Sequence, residues 1–116
     1  MNHSHKGRKF GRKTGDRRQF IKGLLNNLAL RESIKTTEAR AKEIRPLAEK
    51  LVTLAKKQDL SSLRLLLARL NKKAAMKLYY EIAPRYKERK GGYLRIVKLG
   101  TVRKRDGAAW TEIKFV

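Results

Sequence analysis

The residues best suited to binding chemistry lie between positions 84 and 100, PRYKERKGGYLRIVKLG. Guanidinium and ammonium groups bind phosphates, tyrosine rings stack on unpaired bases, and glycines let the backbone approach a ligand closely. The stretch therefore predicts one half of an RNA-binding surface, and burial in the core is an equally good alternative for Tyr93. Its candidate contacts are Arg85, Tyr86, Arg89, Lys90, Gly91, Gly92, Tyr93, Arg95 and Lys98.

A second basic segment opens the chain and predicts the other half of that surface. Residues 1–13 lack a sustained apolar period, so we expect an extended basic arm that follows an RNA groove, with a solubility tail as the alternative. Its candidate contacts are Lys6, Arg8, Lys9, Arg12 and Lys13. Arg17 and Arg18 follow in a predicted first helical turn, where the helix dipole disfavours cations. Their position indicates either that they bind an anion from outside the chain or that they lie on a solvated polar face of the helix.

The overall charge also indicates an anionic partner. Lys and Arg number 31 against 10 Asp and Glu, and self-repulsion at a net charge of +21 opposes compaction unless a polyanion is near. Residues 1–22 carry eight basic and one acidic side chain, and residues 85–105 carry nine and one. A basic loop at Arg103, Lys104 and Arg105 belongs to the second concentration and predicts a third contact.

Several function classes are disfavoured by what the sequence lacks. There is no cysteine, no phosphate-binding glycine loop and no convergent set of nucleophile and base, so we expect neither an enzyme nor a cofactor or small-molecule substrate. His3 and His5 alone make a weak metal pair, and no metal site is predicted. Apolar runs stay short of a membrane span and no secretory leader is visible, which predicts an intracellular protein without a membrane partner.

The remaining pattern predicts one α+β domain over residues 14–116. Apolar residues recur at helical spacing in four segments, and residues 93–99 and 110–116 alternate as two strands around Asp106-Gly107, a turn signal. We expect two layers: about four helices on a small mixed or antiparallel sheet that ends in a C-terminal hairpin, with Ile34 in a brief third strand. Pro46 predicts a kink or local break in the second helix.

Polar and proline residues predict where the helices begin and end. Thr14 or Asp16 is expected to cap the first helix, Thr37 the second, and Ser61 or Ser62 the third. Asn71 is expected to end the third helix, and a fourth begins near residue 72 and closes or bends at Pro84.

Three blocks of this sequence resemble a known family. They are HSHKGRKFGRKTGDRR near the start, IKTTEARAKEIRPLAEKLVTLAKK from residue 34, and APRYKERKGGYLRIVK from residue 83. Together they resemble the bacterial large-subunit ribosomal protein seventeen family, over essentially the whole chain. Asn2, Asp16 and Arg31 depart from the pattern of that family, so no contacts are carried over at those positions.

The resemblance implies a helical layer on a small sheet, with the arm and basic loops buried in 23S-type ribosomal RNA. It also implies neighbouring proteins of the large subunit near the nascent-chain exit. The expected function is a structural constituent of the large subunit that supports translation in the cytoplasm, an organelle ribosome remaining open.

The alternative is a small DNA-binding protein, nucleoid-associated or of the helix-turn-helix type, that uses residues 63–82 as its two short helices. A recognition helix needs side chains that read base edges. The second of these helices offers mainly Lys73, Lys77, Tyr80 and Glu81, which is a poor set for that task.

Overall fold

The computed structural model describes residues 13–116, in which helices come first and a hairpin last. The helices are α1 (Thr14–Arg31), α2 (Glu38–Ala55), α3 (Leu60–Arg69) and α4 (Lys72–Lys77), and the strands are β1 (Ser33–Thr37), β2 (Leu94–Val102) and β3 (Ala109–Phe115). This confirms the predicted α+β class, including the third strand at Ile34. Of the arm predicted at residues 1–13, positions 1–12 lie outside the described residues.

The sheet is antiparallel, and its central strand is the last one in the chain. The strand order is β1-β3-β2, so the hairpin of β2 and β3 receives β1 along the free side of β3. Ile34 pairs with Ile113, and Ile113 pairs with Ile96. Paired residues of adjacent strands point to the same side of a sheet. This isoleucine row therefore defines the face that packs on the helices.

The core consists of two apolar clusters that adjoin. One joins the sheet to α1 and to the first half of α2, around Leu28, Ile44, Leu94 and Ile113. The other lies among the end of α2, α3 and α4 and includes Tyr86 and Tyr93. Leu25 and Phe115 pack against both clusters, so the sheet layer and the helical layer share side chains.

Two of the predicted caps are wrong and one is confirmed. Thr37 caps α2 by accepting a hydrogen bond from the backbone N–H of Arg40. Helix α1 begins at Thr14 after Lys13 and has no side-chain cap, so neither Thr14 nor Asp16 caps it. Asp59, rather than Ser61 or Ser62, caps α3 through the N–H of Ser62 at 2.7 Å.

Asn71 also acts differently from prediction, and of the kink or local break predicted at Pro46 the break does not occur. Asn71 does not end α3, which stops at Arg69; it caps α4 by accepting from the N–H of Ala74 at 2.8 Å. Helix α2 runs without a break through Pro46. Pro46 is exposed, so water can reach the carbonyl of Lys42 that lacks a helical donor.

Helix α4 continues into a wide turn and then a tight turn before the chain leaves it. A π-helical turn, Leu78–Ile82, is followed by a 3-10 turn, Ala83–Tyr86, which contains Pro84. The backbone N–H of Ala83 donates to the carbonyl of Leu78 across the wide turn. The regular helix therefore ends at Lys77, earlier than the predicted end or bend at Pro84. The two turns that follow, residues 78–86 and here called the bend, place the buried ring of Tyr86 next to the following loop.

The Tyr86 hydroxyl offers a test of how this bend is held. It donates to the carbonyl of Val116 at 2.7 Å, from a side chain that is only 5% exposed. Tyr86→Phe should lower the free energy of unfolding by about 1 kcal/mol because a part-buried hydrogen bond is lost. Tyr80→Phe is the matched control, since Tyr80 is 58% exposed. Equal urea midpoints for the two variants would contradict this account.

Candidate nucleic-acid interface

The loop between α4 and β2, residues 87–92, presents cations on a buried aromatic base. Lys87, Arg89, Lys90, Gly91 and Gly92 are all exposed. Beneath them the rings of Tyr86 and Tyr93 lie 5.3 Å apart, and Tyr93 is 1% exposed. The structure thus places both tyrosines in the core, the alternative stated above for Tyr93, and leaves cations and glycine backbone facing solvent.

Hydrogen bonds fix the backbone of this loop. The Lys56 ammonium at the end of α2 donates to the Arg89 carbonyl and, at 2.9 Å, to the Tyr93 hydroxyl. The Arg89 side chain turns back to donate to the Gly91 carbonyl at 3.1 Å. Gly92 has a φ of +63°, a left-handed conformation that glycine adopts without strain. The cations are consequently carried on a defined backbone.

Arg85 differs from the neighbouring cations because it already forms an ion pair with an acidic residue. Its guanidinium makes a two-point contact with the Glu32 carboxylate, including Arg85 Nη2 to Glu32 Oε2 at 3.3 Å. The hydrogen bond from Arg85, with a further contribution from Lys77, lowers the pKa of Glu32 below 4.5, its ordinary value. In this conformation Arg85 connects elements of the fold while remaining partly exposed.

The hairpin loop between β2 and β3 also contains internal hydrogen bonds. Arg103 donates through Nε to Asp106 Oδ1 at 2.9 Å, and this contact lowers the pKa of Asp106. The same carboxylate oxygen accepts from the N–H of Ala108 at 3.2 Å. Arg103 is therefore half-buried and paired, whereas Lys104 and Arg105 are fully exposed at the tip.

The sheet face opposite the isoleucine row carries a further set of cations. Arg95 of β2 pairs with Lys114 of β3, which pairs with Ser33 of β1. Lys35 lies one alternation further along β1, opposite Glu112. Of the three cations on this outer face, Lys35 and Arg95 are exposed, and Lys114 is partly exposed with its ammonium 3.8 Å from the Glu112 carboxylate.

The other residues that the sequence predicts to contact RNA lie outside the loop, the hairpin tip and the outer sheet face. Lys98 lies on the helix-facing side of β2, exposed at its edge and 4.0 Å from Glu38. Lys13 precedes α1 and is exposed, as is Arg18, whereas Arg17 is half-buried. The four arm cations that precede them, Lys6, Arg8, Lys9 and Arg12, lie outside the described residues.

Sequence reasoning missed Lys35, Lys114 and Lys56. The first two could be found only once β3 is known to lie between β1 and β2, because the strand order brings them beside Arg95. Alternation alone indicates which residues share a face within one strand. Lys56 ends a helix like many lysines, and no local pattern reveals that it meets a loop 33 residues later.

Residues 13–116 contain no group of three or more His, Asp or Glu side chains placed to hold a metal ion. None of the described helices has the length and apolar content that a membrane crossing requires.

Comparison with known proteins assigns the class of this chain. A family model described as ribosomal protein L17 matches residues 20–116. A protein of Pelobacter propionicus named "Large ribosomal subunit protein bL17" is 46% identical over 117 aligned positions, covering 100% of this chain and 91% of that protein. Proteins with the same name from Caldanaerobacter subterraneus and Trichlorobacter lovleyi are 49% and 44% identical, covering 94% and 100% of this chain and 97% and 94% of theirs.

These matches define a ribosomal protein rather than an enzyme. The chain belongs to the ribosomal protein L17 family, as its three sequence blocks indicated. The family model covers α2, the bend and both strands of the hairpin, and the relatives extend the likeness to the basic opening.

The Glu32 contact makes stability depend on pH in a defined direction. Because the folded-state pKa of Glu32 is lowered, its stabilisation is fully present above about pH 4.5 and is lost as the pH falls through the folded value. Glu32→Gln should lower the free energy of unfolding at pH 7 by at most about 1 kcal/mol, because the pair is partly exposed. Urea unfolding should show that difference shrinking between pH 5 and about pH 3.

Glu88→Gln is the control for this titration, since Glu88 is exposed in the neighbouring loop. A Glu32→Gln deficit that stays constant down to about pH 3 would show that the carboxylate charge is not what stabilises the contact.

Proposed function

We propose that this chain, a structural constituent of the large ribosomal subunit in the bacterial cytoplasm, holds 23S-type ribosomal RNA at several separate basic surfaces. The surfaces are the opening arm, the loop of residues 87–92, the outer sheet face and the hairpin tip. No reaction is assigned to it. Neighbouring proteins of the large subunit near the nascent-chain exit are its further proposed partners.

The observation that carries this proposal is the rigid presentation of exposed cations in the 87–92 loop. Lys90 is exposed beside two glycines, and the Lys56 contact fixes the backbone beneath. A fixed backbone with exposed cations can follow a phosphate chain without first losing much conformational freedom. Arg89 keeps its charge available because its side chain donates to a backbone carbonyl, which does not neutralise it.

The other surfaces contribute with different strengths. Lys104 and Arg105 extend from a hairpin tip that Arg103 and Asp106 organise, so Arg103 acts mainly as a support. Arg85 likewise attracts RNA less strongly than an unpaired arginine would, because the Glu32 carboxylate offsets part of its charge. Lys35 and Arg95 are the exposed cations of the outer face, whereas Lys114 lies 3.8 Å from Glu112, which offsets part of its charge.

The DNA-binding alternative finds less support. Its second helix would be α4 with its π-helical continuation, in which Lys77 donates to the Leu30 carbonyl at 2.6 Å and lies 3.3 Å from Glu32. Lys77 is thereby unavailable for base edges. Tyr80 and Lys73 remain exposed, which is too small a set for sequence reading.

Salt dependence of RNA binding can test the surfaces one at a time. The double variants Arg89→Gln/Lys90→Gln and Lys35→Gln/Arg95→Gln should each reduce the slope of log K against log salt. We expect the slope to fall by about 0.7 to 0.9 for each phosphate that the variant leaves without a cation, because fewer counterions are released. The measurement is a titration of a large-subunit RNA fragment at several salt concentrations.

Lys42→Gln/Arg45→Gln is the matched control. It removes the same two charges, but Lys42 and Arg45 pair with Glu38 and Glu49 along α2. Its slope should stay close to that of the unchanged protein. A slope lowered equally by all three double variants would mean that net charge alone, rather than these surfaces, governs binding.

Sedimentation tests the assignment as a whole. The native protein should remain with the large subunit through a moderate-salt wash, and deletion of residues 1–13 should lower its retention by weakening the salt-dependent contacts. The thermal transition of the deleted protein should remain nearly unchanged if the arm binds RNA instead of the core. Sedimentation of the native protein with nucleoid DNA would instead support the rival function.

A further inference from the structure

A groove between α1 and α2 has an aliphatic floor. Ile21 and Leu25 come from α1, and Leu47 and Leu51 come from α2, each pair at helical spacing. The cavity measures about 460 Å³. That is within the roughly 300 to 1,000 Å³ of ordinary ligand clefts, and it is large enough for several aliphatic side chains. Leu47 remains 36% exposed within it.

The rim of this groove is cationic on every contributing helix. Arg18 and Lys22 lie on α1, Lys50 on α2, and Arg69 at the end of α3. Within residues 13–116 the four side chains form no ion pair with an acidic partner. The rim therefore offers four charges to an anionic ligand around an apolar surface.

The floor argues against RNA as the occupant. Its four aliphatic side chains carry no hydrogen-bonding group and no aromatic ring. A nucleobase placed there would lose the hydrogen bonds of its edges and gain no stacking partner. Phosphates alone would use the rim and leave the floor exposed to water.

Charge argues against the chain itself as the occupant. Positions 1–12 carry four basic side chains and no acidic one, so the cationic rim repels them. A second copy carries a net charge of +21 and is repelled in the same way. The chemistry that fits both floor and rim is a protein segment with aliphatic or aromatic side chains flanked by Asp or Glu.

We propose that the α1–α2 groove docks an acidic, amphipathic segment of another protein of the large subunit. Apolar side chains of that segment pack on Leu47 and its neighbours, and its carboxylates meet Arg18, Lys22, Lys50 and Arg69. This goes beyond the RNA-binding surfaces, which lie on the sheet, the loops and the arm. It rests on the proposed function only in placing the chain in the large subunit.

Photo-crosslinking in purified large subunits tests the proposal. Benzoylphenylalanine replaces Leu47 inside the groove, with Lys50 as a second position on its rim and Leu60 as a control, since Leu60 is 59% exposed on α3 and does not line the groove. Incorporation is first confirmed by sedimentation, which separates failure of assembly from failure of the groove. Peptide mass spectrometry then identifies the crosslinked segment.

The expected result is one crosslinked protein segment, shared by positions 47 and 50 and absent from position 60, in which acidic residues flank apolar ones. Lys50→Glu with Arg69→Glu should lower its yield from position 47 about tenfold by placing like charges together. Lys42→Glu with Arg45→Glu makes the same charge change outside the groove and should leave the yield unaltered. Crosslinks to RNA, to residues 1–12 or to a second copy, or no crosslink from incorporated protein, would overturn the proposal.

Discussion

The junction at Glu32 determines how the layers of this protein meet. Glu32 has a φ of 64°, and its N–H closes α1 by donating to the Leu28 carbonyl at 2.7 Å. Its own carbonyl accepts from the N–H of Phe115 at 3.1 Å. A carboxylate at the carbonyl end of a helix is unfavourable by itself, and a left-handed non-glycine residue adds strain. Arg85 and Lys77 offset both costs, so one residue joins α1, α4, the bend and the sheet.

The scarcity of acids gives such junctions a second effect. With 10 carboxylates against 31 cations, the position of each acid decides which cations are neutralised and which stay available to a polyanion. Glu32 forms an ion pair with Arg85, and Asp106 forms one with Arg103. Both acidic residues lie where the backbone turns. Arg89, Lys90, Lys104 and Arg105 sit next to these supported points, and their side chains are exposed. Ion pairs that support the fold and exposed cations thus alternate along these segments of the chain.

Much of this fold was predictable because its signals are local. The helical stripe of α2, the turn at Asp106-Gly107 and the alternation after Gly92 each read correctly from a short window. The caps of α1 and α3 were mispredicted because several neighbouring polar residues compete and only the final backbone geometry selects one. The Lys56 contact and the central position of β3 are long-range features, and no local sequence pattern predicts them. Consequently the sequence indicated the exposed cations of residues 85–92, but not the Lys56 contact that supports them or the face that the three strands share.

The central position of β3 bears on the order in which the protein acquires its structure. Strand β1 is made early, yet its pairing partner in the sheet comes about 80 residues later, as the Ser33 to Glu112 side-chain contact shows with a separation of 79. During synthesis, β1 and β2 have no common partner until residues 109–115 emerge, because the two strands do not pair with each other. Contacts this distant in sequence slow folding, because the chain loses the entropy of closing a long loop before the strands gain any pairing energy. The last strand therefore completes both the core and the face that carries Arg95 and Lys114.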